Sequence, residues 1–260
     1  MRKIISGLLG LIFVAATVIF VILMKDELTK EASIRQMEAE LDSYFEPPES
    51  ETLWEGAEEE SKESWFDWNA VLRDGEQVVA WIQMEGNESV DYPIVQAEDN
   101  TWYLNHDWKG QKQFAGSIFL NKNNAPDFTD FNSVIYGHRM KNRSMFGSFK
   151  YYTEQTYLDE HPYFYIYTPD GKKRTYEIFA CANILDGTAT YDITYEAKED
   201  RLAYYNTLYQ KAIAKRTVDI SEFDTTVTLS TCAARGYYNR IVICGKLIAI
   251  EQNQVPVRYE

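Results

Sequence analysis

Six stretches rich in β-branched and aromatic residues, at 117–120, 133–136, 163–167, 175–184, 225–231 and 240–250, constrain the fold of this chain more than any other feature. Such residues suit a pleated, half-buried surface, and turn signals separate the runs. One of these signals is Thr168-Pro169-Asp170-Gly171. Proline presets the turn and glycine supplies its left-handed position, so the flanking runs read as a hairpin. Many short strands of this kind predict a sandwich or a closed barrel. Periodicity does not choose between the two.

Helical spacing is confined to a few places. Ile34, Met37, Leu41 and Tyr44 recur at helical intervals, and Glu46-Pro47-Pro48 stops that helix. Trp65, Trp68, Val71 and Leu72 predict a short amphipathic helix ending near Asp74-Gly75, followed by a second helical piece over 76–81. Leu202, Tyr205, Leu208, Tyr209, Ala212 and Ile213 mark the apolar face of a helix at about 199–215. Glu199 and Asp200 sit at its positive N-terminal end. Residues 46–63, rich in Glu, Ser and Pro, read as a linker. The sequence carries no internal repeat and no metal-ligand cluster.

Residues 4–24, from Ile4 to Met24, are 21 positions without a charge. As a helix they would reach about 32 Å, enough for a hydrocarbon core of about 30 Å. Arg2 and Lys3 precede them, and Lys25 is followed at once by Asp26 and Glu27. The positive-inside rule then sets the N-terminus in the cytoplasm and residues 26–260 outside. A cleaved signal peptide is the competing reading, but its apolar core is usually shorter. The expected organisation is a cytoplasmic 1–3, a transmembrane anchor 4–24, an acidic stalk 25–63 and a catalytic domain 64–260.

The formal charge of −14 is unevenly spread. Residues 26–63 hold 14 acids and 3 bases, residues 1–25 carry +3, and −6 remains for 64–260. Acidity therefore belongs mainly to the stalk. Nucleic-acid binding, which needs a basic face, is disfavoured.

Three residues at ends of β-patterned runs could do chemistry together. Ser133-Val134-Ile135-Tyr136 ends in Gly137-His138. Thr228-Leu229-Ser230-Thr231 ends in Cys232, and Arg240 opens Ile241-Val242-Ile243. A thiol can attack a carbonyl, an imidazole can move protons, and a guanidinium can hold a developing oxyanion. Cys181 and Cys244 lie inside apolar runs and read as small buried hydrophobes, whereas Cys232 precedes small and polar residues. His106 and His161 fall in loop-like contexts. Arg240 could equally be a strand-flanking surface charge, and Arg235 is its local rival. Alternation points Ser230 and Cys232 to one face of their strand.

The strings YGHRM at 136–140, TLSTC at 228–232 and Arg240 ahead of IVI together resemble the sortases, and within them class B. DYPIVQAEDNTWYL at 91–104, GSIFLN at 116–121 and SMFG at 144–147 extend the resemblance over about residues 65–250. It implies an eight-stranded β-barrel with N-terminal helices and a long helix before the cysteine strand. It also implies a membrane-anchored cysteine transpeptidase of Gram-positive bacteria. Such an enzyme cuts a C-terminal sorting signal of the NPxTx or a related type after Thr and passes the acyl group to an amine. That amine would belong to a peptidoglycan precursor of the lipid II type. His138, Cys232 and Arg240 would be catalytic, with Ser230, Asn100, Leu104 and Tyr191 lining the substrate groove. No metal or organic cofactor is implied. Ala233 stands where some class B members carry an acid, which bears on substrate preference rather than on the thiol chemistry. Alternatives are a pilus-assembling sortase, another cell-wall cysteine peptidase, or a non-enzymatic binding module. Papain-like enzymes place Cys before His in the chain, the reverse of the order here.

Overall fold

The computed structural model describes residues 2–45, 66–185, 189–193, 197–231 and 239–257, with the side chains of 2–9 and 11 excepted. The chain divides into two units, Met1–Glu40 and Leu41–Glu260. The first is a helix, part of α1 (Arg2–Asp42). No proline interrupts it, and the i,i+4 pairs Lys30–Asp26 and Arg35–Glu31 reinforce its polar half. The helix gives way to a 3-10 turn at Ser43–Phe45, just before the prolines expected to stop it. Among the described residues no helix is long and apolar enough to cross a membrane. The expected span 4–24 therefore finds no support there, although several of its side chains lie outside the described set. The expected linker 46–63 also falls outside the described residues.

The second unit holds that 3-10 turn and then α2 (Trp68–Asp74), where the Asp67 carboxylate accepts from Ala70 N at 2.9 Å. That side-chain cap satisfies one of the helix's orphan donors. Next come β1 (Val78–Met84), β2 (Asp91–Val95), β3 (Ile118–Leu120), β4 (Asn132–Gly137), α3 (Gln155–Glu160), β5 (Tyr163–Thr168) and β6 (Lys172–Leu185). The chain continues with α4 (Lys198–Lys211), β7 (Ala212–Lys215), β8 (Thr226–Thr231) and β9 (Asn239–Glu251). The strands run in the order β5-β1-β2-β3-β4-β8-β9-β6-β7, and β5 also pairs with β6. That extra pairing closes eight strands into a barrel and leaves β7 as an added strand beside β6. Closure removes the open sheet edges that would otherwise invite pairing with other chains.

Two sequence expectations are corrected. Residues 76–81 are not helical: β1 starts at Val78 and pairs with β2 on one side and β5 on the other. Gly75 is extended and Gln77 has φ 58°, so the helical path has already broken when Val78 and Val79 arrive. The helix expected at about 199–215 ends at Lys211, and Ala212–Lys215 forms β7 against β6. Ile213 is consequently exposed, and Leu202 lies on the outer side of α4. Of the expected face of α4, Tyr205 and Leu208 are buried, and Tyr204 joins them.

Most strand pairings are antiparallel, but β4 and β8 run parallel, from Asn132 beside Thr226 to Gly137 beside Thr231. Both strands are nearly buried throughout because both faces are covered. Tyr204, Tyr205 and Leu208 of α4 pack with Phe131, Phe179, Val242 and Cys244 outside this part of the barrel.

Candidate active site

A parallel pair ends both its strands on the same side of a sheet. Here that fact joins segments nearly a hundred residues apart in sequence. His138 follows Gly137, and Cys232 follows Thr231, the partner of Gly137. Cys232 itself, with Arg235 and Ala233, lies outside the described residues. On the far side of β8 the last pair is Ser230 with Val242. Arg240 lies two residues further out on β9, toward the same end.

Gly137 is required by packing. A Cβ there would meet Phe146 Cδ2 at 2.7 Å, and Phe146 is fully buried. The Phe146 amide returns a hydrogen bond to His138 O at 2.9 Å, so the loop after β4 folds back under the histidine. The ring of His138 is half-buried. Its Nε2 lies 2.7 Å from Leu104 O. A carbonyl only accepts, so Nε2 carries the hydrogen and Nδ1 is left to accept a proton in the neutral ring. Leu104 ends a 3-10 turn, Trp102–Leu104. The Asp99 carboxylate caps that turn, accepting from Thr101 N at 2.6 Å and Trp102 N at 2.8 Å. The Thr101 hydroxyl, donating to the same carboxylate at 2.7 Å, and then these two amides hold the Asp99 carboxyl below its ordinary range. Asn100 faces the next segment: its Oδ1 accepts from Lys122 N at 2.8 Å.

The opposite wall centres on Tyr191. Its hydroxyl lies 3.1 Å from Ser230 Oγ, and the Arg240 guanidinium carbon is 5.9 Å from its ring centroid. That is within reach of a cation–π attraction. Tyr136 stacks on Tyr191 with centroids 6.2 Å apart and accepts from Asn121 Nδ2 at 3.1 Å. Ser230 is fully buried, with its hydroxyl facing that of Tyr191. The structure thus joins Ser230, Tyr191 and Arg240 by contacts on one wall and His138 with Leu104 on the other, while the Asn100 carboxamide turns to Lys122.

The other histidines and thiols have structural partners. His106 stacks on Trp102 at 3.8 Å, with Nδ1 2.8 Å from Trp102 O. His161 caps α3 and packs on Tyr157. Cys181 and Cys244 are free and buried, and burial pushes both thiols up to about 12. Held protonated, neither is a useful nucleophile. Among the described residues no group of His, Cys, Asp and Glu could hold a metal ion.

The sequence of the sortase domain family matches residues 82–248. The chain belongs to the sortase family. Sortase B of Listeria monocytogenes is 37% identical over 175 residues, covering 66% of this chain and 70% of that protein. Sortase B of Staphylococcus aureus is 26% identical over 66% of this chain and 71% of its own length. Among solved structures, sortase B of B. anthracis in complex with AAEK1 matches with TM-score 0.71 and 28% identity, over 85% of this chain and 99% of that one. A Staphylococcus aureus sortase B–substrate complex matches with TM-score 0.65 and 25% identity, over 69% and 83%. The sortase is of class B, and its reaction class is cysteine transpeptidation.

Asn121, whose amide meets the Tyr136 hydroxyl, escaped the sequence reading as a site residue. It lies just past the β-patterned run 117–120. Asparagine is depleted in strands, so its place beside a run of strand formers was the available signal.

Proposed function

We propose that this sortase cleaves a C-terminal sorting signal of the NPxTx or a related type and joins the new acyl end to an amine. Cys232 is the nucleophile, His138 the proton carrier and Arg240 the group that receives the oxyanion. The observation that carries this reading is the parallel β4–β8 pair, which ends in Gly137-His138 on one strand and leads to Cys232 on the other.

The Cys232 sulfur, as thiolate, attacks the Thr carbonyl carbon, and the former carbonyl oxygen gathers negative charge. Arg240 stabilises that charge. The C–N bond then breaks, and the departing amine takes the proton held on His138 Nδ1. A thioester remains. An incoming amine attacks it, His138 recovers a proton, and an amide replaces the C–S bond. With Nε2 engaged by Leu104 O, one nitrogen serves both transfers and the ring need not turn over. Tyr191 covers Ser230 and, with Asn100 and Leu104, borders the space for the signal peptide.

The acceptor in this reading is the amine of a peptidoglycan precursor of the lipid II type, and the substrates are secreted proteins. The enzyme would act outside the cell. The N-terminal helix would hold it at the membrane, with residues 1–3 in the cytoplasm, 25–63 as a stalk and 64–260 as the catalytic domain. What supports attachment is the run of exposed apolar side chains from Ile12 to Met24 on α1, a surface that water disfavours. Incubating the protein with a fluorogenic sorting peptide, with and without a small amine, tests the function. Cleavage at Thr with an amine-dependent ligation product is expected. A peptide left intact under both conditions would refute it.

A further inference from the structure

Tyr191 touches both Ser230 and Arg240, yet it sits on a short segment, 189–193, whose regular structure is a single 3-10 turn. What fixes that segment is Asn132, the first residue of β4, which is completely buried. Its Nδ2 donates to Thr190 O at 3.3 Å and to Asp192 O at 3.0 Å, the carbonyls on either side of Tyr191. Its backbone amide donates to Ile193 O at 3.4 Å. Its Oδ1 accepts from Thr228 Oγ1 at 2.9 Å and from Thr226 Oγ1 at 3.4 Å. Thr228 Oγ1 lies 3.0 Å from the Tyr204 hydroxyl of α4.

A carboxamide offers two donor hydrogens and two acceptor sites, and here both hydrogens meet loop carbonyls while Thr228 donates to the oxygen. The two carbonyls, which only accept, fix which way the amide faces. With Nδ2 turned to the Tyr191 segment, Oδ1 faces β8, where the Thr226 hydroxyl divides its one hydrogen between Phe131 O at 3.2 Å and Asn132 Oδ1. An aliphatic residue would leave two carbonyls and two hydroxyls without this partner in a dry site. An aspartate would turn a second acceptor toward carbonyls that already only accept. The chemistry of the position therefore calls for asparagine.

We infer that Asn132 is a positioning residue for substrate recognition. It sets the height of Tyr191 over Ser230 and Arg240, and so the shape of one wall of the signal-peptide groove, without touching the peptide. The inference rests on the reading that Tyr191 borders that groove.

The test is peptide kinetics on the full chain for Asn132→Leu, Tyr191→Ala and the double variant, beside the rate at which iodoacetamide alkylates Cys232. Asn132→Leu is expected to raise KM about tenfold, with kcat and the alkylation rate within about threefold of the parent. The double variant is expected to be no worse than Tyr191→Ala alone, because both changes act through one side chain. If Asn132→Leu does not fold, Thr228→Val serves in its place. It removes the hydroxyl that holds Oδ1 and leaves the loop carbonyls untouched, and the same rise in KM is expected. A raised KM in Tyr191→Ala with an unchanged KM in Asn132→Leu, or effects that multiply fully in the double variant, would overturn the role of Asn132. An unchanged KM in Tyr191→Ala would overturn the groove reading itself and this inference with it.

Discussion

The two walls beside the end of β4 and β8 are built on different principles. The wall around His138 is held through the backbone: Leu104 O fixes the ring, Asp99 caps the turn that presents Leu104, and Phe146 packs where Gly137 has no side chain. The wall around Tyr191 is held through side chains, by a saturated buried amide and a row of hydroxyls. A proton carrier must keep one nitrogen aimed at one atom, and a backbone acceptor on a capped turn gives that aim with few degrees of freedom. A wall that meets a peptide needs a shape, and side chains can be exchanged to change it. Under the proposed function, the first wall serves chemistry and the second selection.

The sharpest way to break that division is to empty the first wall. His138→Ala should lower kcat by about a thousandfold with little change in KM, since proton transfer contributes roughly 10²–10⁴. A variant that loses affinity instead would place His138 on the selecting side. Arg240 stands at the seam, touching Tyr191 yet expected to serve the transition state. Arg240→Ala should cost about a hundredfold in kcat, within the range seen when an oxyanion donor is removed. Arg240→Lys should recover little, because it keeps the charge and loses the fork of donors. If Arg235→Ala is the crippled variant and Arg240→Ala is near normal, the wrong arginine has been assigned.

A smaller effect sharpens the backbone side of the comparison. Gly137→Ala forces a methyl against a Phe146 ring that has nowhere to go. Overpacking of this kind costs about 1–3 kcal/mol and should lower Tm by several degrees. Because the strain falls beside His138, activity measured well below Tm should drop as well, through kcat. A stable variant with parent kinetics would show that the glycine is incidental.

How much of this was legible beforehand differs between the walls. The β-patterned runs foretold β3, β4, β5, β6, β8 and β9, because β-branched and aromatic residues crowd them. Barrel closure was not readable from periodicity and came only through the family resemblance, since it depends on the β5–β6 pairing and on the parallel register of β4 with β8, both long-range. β1 was misread as helix because its first residues follow α2 closely. Only the φ of Gln77 and partners on both sides reveal the strand. β7 was absorbed into α4 because Ala212 and Ile213 continue the helical spacing by chance. His138 stood out by its place at the end of a β-patterned run and by the YGH string of the resemblance. The Tyr191 contacts could not, because nothing in the sequence brings 191 to 230 and 240. Asn132 stands just before the run at 133–136 and reads as an ordinary strand boundary.

The smallest expected effect concerns the barrel wall away from the site. Cys181 and Cys244 are raised from an ordinary 9.0 to about 12 by burial. The folded state thus holds these protons more tightly than the unfolded one. The associated stability is complete below pH 9 and is lost as pH rises toward 12. Urea midpoints should fall between pH 8 and pH 10, and Cys181→Ser should flatten part of that fall. A midpoint that does not change with pH would show that burial leaves these thiols unshifted.

The account stands on one sulfur at the end of β8, and the rate of sorting-peptide cleavage by Cys232→Ala tests it most directly. Cleavage should disappear, while Cys181→Ala and Cys244→Ala, each assayed at a temperature where it is folded, should retain most of theirs. Substantial cleavage by Cys232→Ala would contradict the account, whatever the other two thiols do.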